Sequence, residues 1–143
     1  MAGPLNEATS SFRIHRIEEI VEVRDWLKRE LDAHHYGEHD TFAIRLAFEE
    51  AAANAITHGN KEDPARHVTI EFALDDDKVQ MTIADEGPGF DFVHLEDPTA
   101  ERNILKDYGR GVMLIHSFMD EVHYNRVGNI LRLVKYRSKS PPS

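Results

Sequence analysis

Glu50, Asn54 and His58 are spaced four apart, and on a helix residues at that spacing share one face. An acid, an amide and an imidazole would then form a single polar stripe. Around it lies a bed of small residues, Ala47, Ala51, Ala52, Ala53 and Ala55, which allows close packing against a sheet. Burying such polar groups without partners costs roughly 1–3 kcal/mol each, so a helix that keeps them in line is expected to face a ligand. Mg²⁺ takes a few oxygen ligands together with phosphates and waters, and the Asn54 amide oxygen can supply one. Glu50, one turn earlier, could position or deprotonate an attacking hydroxyl. His58 could join Glu50 on a metal, but two candidates without a third ligand make a poor zinc site. It reads better as a structural hydrogen-bonding residue near the helix end. Gly59 is a natural stop, because glycine accepts the left-handed conformation that ends many helices. The competing reading is a helix whose polar residues face solvent, and the alanines and Phe48 argue against it.

Two further stretches carry chemistry. Asp85 directly follows the apolar strand end at Ile83 and Ala84, where a carboxylate is normally expensive. A hydrogen bond accepted from an exocyclic amine, such as that of adenine, would account for it. Gly87 and Gly89 would let the backbone approach a flat base or adopt positive φ. Gly109, Arg110 and Gly111 open a helix whose first turn carries no acid. Free N–H groups at such a start attract anions; a triphosphate could rest there, with Arg110 or Lys106 adding charge. Each motif alone is more often a plain turn or a glycine-flanked helix start. Three in this order, on helix, strand end and helix junction, point to one site.

The elements that must position these residues follow from periodicity. Phe12 to Ile17 alternates apolar and charged residues as a half-buried strand does. Glu18 to His34 switches to the helical period, with Ile20, Val23, Trp26 or Leu27, and Leu31 on one stripe. His34 to Asp40 reads as a loop whose histidines 34, 35 and 39 are solvated, and Asp40 or Thr41 can cap the next helix. That helix carries Phe42, Ile44, Phe48 and the stripe. Strands 68–74 and 78–84 alternate around the acidic turn Asp75, Asp76, Asp77. Asp91 to Tyr108 has little periodicity and reads as a loop or lid. An apolar helix follows to Met119, and strands 122–127 and 130–136 form a last hairpin over Gly128 and Asn129. The order predicts an α+β fold, a two-layer sandwich with one sheet face covered. One domain at residues 10–137 is expected between disordered ends at 1–9 and 138–143.

Composition narrows the classes. A chain of 143 residues suits one domain with its own core. The formal charge is −9, from 17 basic and 26 acidic residues, with no basic cluster, which argues against nucleic acid as a direct partner. The absence of cysteine removes disulfides and cysteine-based zinc sites. No apolar run approaches the roughly 20 residues of a membrane helix, and the first residues do not resemble a signal peptide. The reading is a soluble cytoplasmic protein without a membrane partner.

With these residues in place the chain resembles the GHKL ATPase superfamily, and within it the small anti-sigma-factor serine kinases, from about residue 10 to residue 137. Glu50 to Gly59 is similar to the family's N box, Asp85 to Gly89 to its G1 box, and Gly109 to Val112 to its G2 box. Phe118 to Val122 is also similar to this subgroup. The resemblance implies the Bergerat α/β sandwich and binding of Mg-ATP. It implies Glu50 as catalytic base and Asn54 as magnesium ligand. Asp85 would bind the adenine amine, Gly87 and Gly89 would line the base pocket, and Gly109 and Gly111, with Arg110, would cradle phosphates. Family members phosphorylate a serine or threonine on a small anti-sigma-factor antagonist, a STAS-domain protein, and sequester a sigma factor, usually as homodimers. The family often has Gly-Thr before the final strand, the threonine supporting the adenine-binding aspartate. Here the pair is Gly128 and Asn129, so Asn129 would take the supporting place. Lys106, Asp107 and Tyr108 are bulkier than the family pattern. The implied function is an ATP-dependent protein serine/threonine kinase in a partner switch; the alternative is an ATP-binding anti-sigma module that consumes no ATP. A sensor histidine kinase is disfavoured, because no helical hairpin bearing a phosphoacceptor histidine precedes residue 10.

Overall fold

The computed structural model describes residues 7–88 and 109–139, with 109–112 as backbone alone. Gly89 and the expected lid from Asp91 to Tyr108, Lys106 included, lie outside the described residues.

Five antiparallel strands form one sheet in the order β1-β2-β3-β5-β4. They are β1 (Ala8–Ile14), β2 (Val68–Leu74), β3 (Lys78–Ala84), β4 (Glu121–Tyr124) and β5 (Ile130–Tyr136). Among the described residues three helices, α1 (Ile20–Ala33), α2 (Glu38–Asn54) and α3 (Gly109–Phe118), cover one face. The chain is therefore the two-layer α+β sandwich that its pattern predicts.

Period-two alternation explains the covered face. Val68, Ile70, Phe72 and Leu74 of β2 and Val79, Met81 and Ile83 of β3 are all buried, in a register that sets Ile70 opposite Ile83 and Phe72 opposite Met81. Against them α1 buries Ile20, Val23, Leu27 and Leu31, and α2 buries Ile44, Ala47, Phe48, Ala51 and Ala52. Phe72 is the hub: its ring meets Phe12, Trp26 and Phe48 at centroid distances of 6.0, 5.1 and 5.6 Å, a spacing that favours aromatic pairs. The small residues of α2 let this helix lie close on α1, α3 and the sheet. Among the described residues no helix is long and apolar enough to cross a membrane.

Several boundaries differ from the sequence pattern. β1 starts at Ala8, inside the expected disordered end, because Ala8 pairs with Leu74; it ends at Ile14, and Ile17–Glu19 is a short 3₁₀ turn. α2 starts at Glu38, with Gly37 before it. Asp40 is thus no cap: it is 3% exposed and accepts hydrogen bonds from the Ser138 N–H (2.6 Å) and hydroxyl (2.8 Å). Ser138, expected in a frayed tail, is bolted to α2. His34 is not solvated but buried, its Nδ1 2.9 Å from the Glu30 carbonyl. Phe42, on the apolar pattern of α2, is 49% exposed and rests its edge on Phe118. Gly109 and Gly111 belong to the first turn of α3 rather than preceding it.

Candidate functional site

Glu49 and Glu50 are adjacent acids with different environments. The Glu49 carboxylate takes Arg24 at 3.1 Å and Arg45 at 3.8 Å, which ties α2 to α1. Glu50 and Asn54 lie one turn apart on α2, each half-buried. Neither side chain has a hydrogen-bond or ionic partner among the described residues. Half-buried polar groups held without partners are groups kept available.

After Asn54 the helix widens. Residues Ala55–Gly59 form a π turn, and the Asn60 N–H reaches back five residues to the Ala55 carbonyl at 2.8 Å. Single π turns inside helices recur at functional sites. His58 falls in this wider turn, so it no longer continues the four-residue stripe of Glu50 and Asn54; it makes its own contacts within the fold. Gly59 is no left-handed cap, since Gly128 is the described glycine with positive φ. Its role is proximity: a Cβ there would stand 2.4 Å from the Asp85 carboxylate. Gly87 is needed for the same reason, since a Cβ would meet the Gly59 carbonyl oxygen at 1.9 Å. The two glycines let the helix end and the turn after β3 lie against each other.

That turn is held from both sides. Asn60, buried at 2% exposure, accepts the Glu86 N–H at 2.8 Å and donates to the His67 carbonyl at 3.0 Å. Glu86 in turn accepts the His67 N–H at 2.6 Å and faces its ring at 2.9 Å. From the last hairpin, the Asn129 carbonyl accepts the Asp85 N–H at 2.9 Å, and the Asn129 amide donates to the Gly87 carbonyl at 3.0 Å. Asn129 thus holds the Asp85 turn through its backbone carbonyl at Asp85 and its side chain at Gly87. The sequence reading missed Asn60; its signal was an amide directly after the helix-ending Gly59.

Asp85 itself is a half-buried carboxylate. One oxygen accepts the Gly87 N–H at 2.7 Å; the other accepts from no described residue. Burial raises its pKa, opposed by the Gly87 hydrogen bond and by Arg66. A carboxylate with one oxygen fixed and one open is a specific acceptor for an amine or amide N–H. The first turn of α3 carries no acids, a composition that suits an anion. Among the described residues no group of three acidic, histidine or cysteine side chains could hold a metal by itself. The donor set, one amide oxygen beside one carboxylate, fits Mg²⁺ that arrives with phosphate oxygens and waters.

The chain matches the histidine kinase-like ATPase domain over residues 15–135, and it belongs to that family. It is 33% identical over 100 residues to the serine-protein kinase RsbW of Bacillus subtilis, covering 65% of this chain and 62% of that protein. It is 36% identical over 102 residues to the anti-sigma F factor of the same organism, covering 68% and 70%. To the serine-protein kinase RsbW of Staphylococcus epidermidis it is 33% identical over 103 residues, covering 66% and 65%. The chain thus spans less than two thirds of the length of either kinase.

Proposed function

We propose that this member of the histidine kinase-like ATPase family is an ATP-dependent serine/threonine protein kinase. Its substrate is an anti-sigma-factor antagonist of the STAS-domain type. Its regulatory output is sequestration of a sigma factor by a cytoplasmic homodimer. The observation that carries the reading is Glu50 and Asn54, without side-chain partners among the described residues and one turn apart on the helix whose end lies against the Asp85 turn. The names of its relatives, a serine-protein kinase and an anti-sigma factor, support it.

Each residue has a place in the reaction. The open oxygen of Asp85 accepts a hydrogen bond from the adenine amine, with Asn129 steadying the turn; Gly87 and Gly89 would line the base pocket. The backbone at Gly109 and Gly111, with Arg110, holds the phosphates. Asn54 would hold Mg²⁺ through its amide oxygen, where the metal would supply neutralisation of phosphate charge. Glu50 accepts the proton of the substrate hydroxyl as its oxygen bonds to the γ-phosphorus. The bond from that phosphorus to the β–γ bridging oxygen breaks, and ADP leaves.

A thermal-shift titration with ATP, followed by transfer of labelled γ-phosphate to the antagonist, tests this. At ~100 times its dissociation constant ATP should stabilise the fold by about 2.7 kcal/mol, with the shift dependent on Mg²⁺ and on Asn54. Glu50→Ala should keep that shift and abolish transfer. Transfer that survives Glu50→Ala would remove Glu50 as base. Binding without any transfer by the native chain would leave an ATP-binding partner switch that does not consume its nucleotide.

A further inference from the structure

The loop between β4 and β5 contains a second asparagine whose hydrogen bonds are unusually complete. The Asn125 side-chain oxygen accepts three backbone N–H groups, from Gly128 (2.9 Å), Asn129 (2.9 Å) and Ile130 (3.0 Å). Three donors fix which end of this amide is the oxygen, since an NH₂ group cannot accept them. The Asn125 NH₂ must then point the other way, and it donates to the Asn129 side-chain oxygen at 2.8 Å. That contact in turn fixes Asn129, whose NH₂ is left to donate to the Gly87 carbonyl. Gly87 closes the chain by donating its N–H to one oxygen of Asp85.

We infer that Asn125 is a positioning residue for base recognition: through Asn129 and Gly87 it sets the direction of the open Asp85 oxygen, and so the preference for a base carrying an exocyclic amine. The inference rests on the nucleotide reading above. The relay has a polarity, and the polarity makes it testable. In Asn125→Asp the three backbone N–H groups keep their acceptor, so the hairpin turn survives. The second carboxylate oxygen, however, now faces the Asn129 oxygen. Asn129 must turn its amide over, which sets oxygen against the Gly87 carbonyl and removes that bond.

The test is calorimetric titration, with Mg²⁺, of ATP and of purine riboside 5′-triphosphate, which lacks the 6-amino group. The native chain should bind ATP the tighter of the two. Asn125→Asp should weaken ATP about three- to ten-fold, the loss of one hydrogen bond between uncharged partners, and leave the analogue unchanged. Asn129→Ala, which removes the amide without introducing charge, should narrow the preference in the same way. Equal weakening of both nucleotides in both variants, or an unchanged preference, overturns the relay. A native chain that binds both nucleotides equally shows that Asp85 does not read the amine, and the relay falls with it. A native chain that binds neither overturns the nucleotide reading itself.

Discussion

Asp85 is held half out of water with one oxygen committed to its own turn, and its raised pKa records what that position costs. The unfolded chain keeps the ordinary carboxylate value and the folded chain the higher one, so between the two values the fold binds more protons. Asp85 therefore favours folding below its ordinary value, and that contribution is lost as pH rises through the raised one. At neutral pH the ionised group opposes folding. Asp85→Asn keeps the oxygen that accepts the Gly87 N–H and removes the charge. Its melting temperature without nucleotide should be equal to or above the native value, while the ATP-induced shift disappears because an NH₂ now faces the adenine amine. A native chain should likewise lose ATP affinity on acidification sooner than an ordinary carboxylate would dictate. A mutant that unfolds, or that still shifts with ATP, contradicts this account. Spacing alone singled out Asp85, Glu50 and Asn54. What it could not show is that the neighbouring Glu49 is committed to an ion pair, because its partner Arg24 lies on another helix.

At the scale of elements, the contact between the end of α2 and the turn after β3 decides the shape of the site. Gly59 and Gly87 both look indispensable, but what their side chains would strike differs. An alanine Cβ at 59 meets the tip of the Asp85 side chain, which can swing aside, whereas one at 87 meets the Gly59 backbone, which cannot. Gly59→Ala should therefore fold, at a cost of about 1–3 kcal/mol, with Asp85 displaced and the ATP shift lost. Gly87→Ala should reach or exceed the upper end of that range in urea unfolding. Asn60→Ala leaves the Glu86 N–H and His67 carbonyl without their partner and should cost about 1–3 kcal/mol. A Gly59→Ala chain with native ATP affinity would contradict the close-approach argument. Periodicity gave the strands, the helices and the glycine that ends α2. It misread that glycine's purpose because a left-handed stop is a local event, while this contact joins residues 26 or more apart in sequence. The wider helical turn at Ala55–Gly59 was hidden for a related reason: an i→i+4 template carries no signal for a bond that reaches back five residues.

Across the whole molecule, the sheet and its helical cover were readable because alternation and the 3.6-residue period report burial directly. The chain's last described residues were not, because their anchor lies 98 positions away. Asp40, in the first turn of α2, receives two hydrogen bonds from Ser138, and Lys135 stands 3.9 Å from its carboxylate. Lys135 is itself shared with Asp120 at 3.3 Å, and the Asp120 carboxylate accepts the Tyr136 N–H at 2.7 Å. The end of β5 thus closes the helical layer onto the sheet at the opposite end of α2 from Asn54. Because Asp40 is buried, removing its donors should matter more than losing two exposed contacts. Deleting residues 138–143 leaves a buried carboxylate with one distant cation and should destabilise the chain by about 1–3 kcal/mol. Ser138→Ala removes one of the two donors and should cost about 0.5–1.5 kcal/mol. The decisive comparison is non-additivity. Asp40→Ala removes the buried charge that makes the deletion harmful, so combining the two changes should cost clearly less than their sum. Urea unfolding of the four chains reads this directly, and strictly additive effects would mean that the tail and α2 are not coupled through Asp40. The same four chains, titrated with ATP, ask whether a clasp at one end of α2 is felt at the other. If α2 moves as a rigid rod through its end, the deletion should weaken ATP binding through both Asn54 and Gly59. If the wide turn after Asn54 absorbs the movement, Gly59 and Asp85 keep their contact and only the Mg²⁺-dependent part of the affinity, which runs through Asn54, should fall.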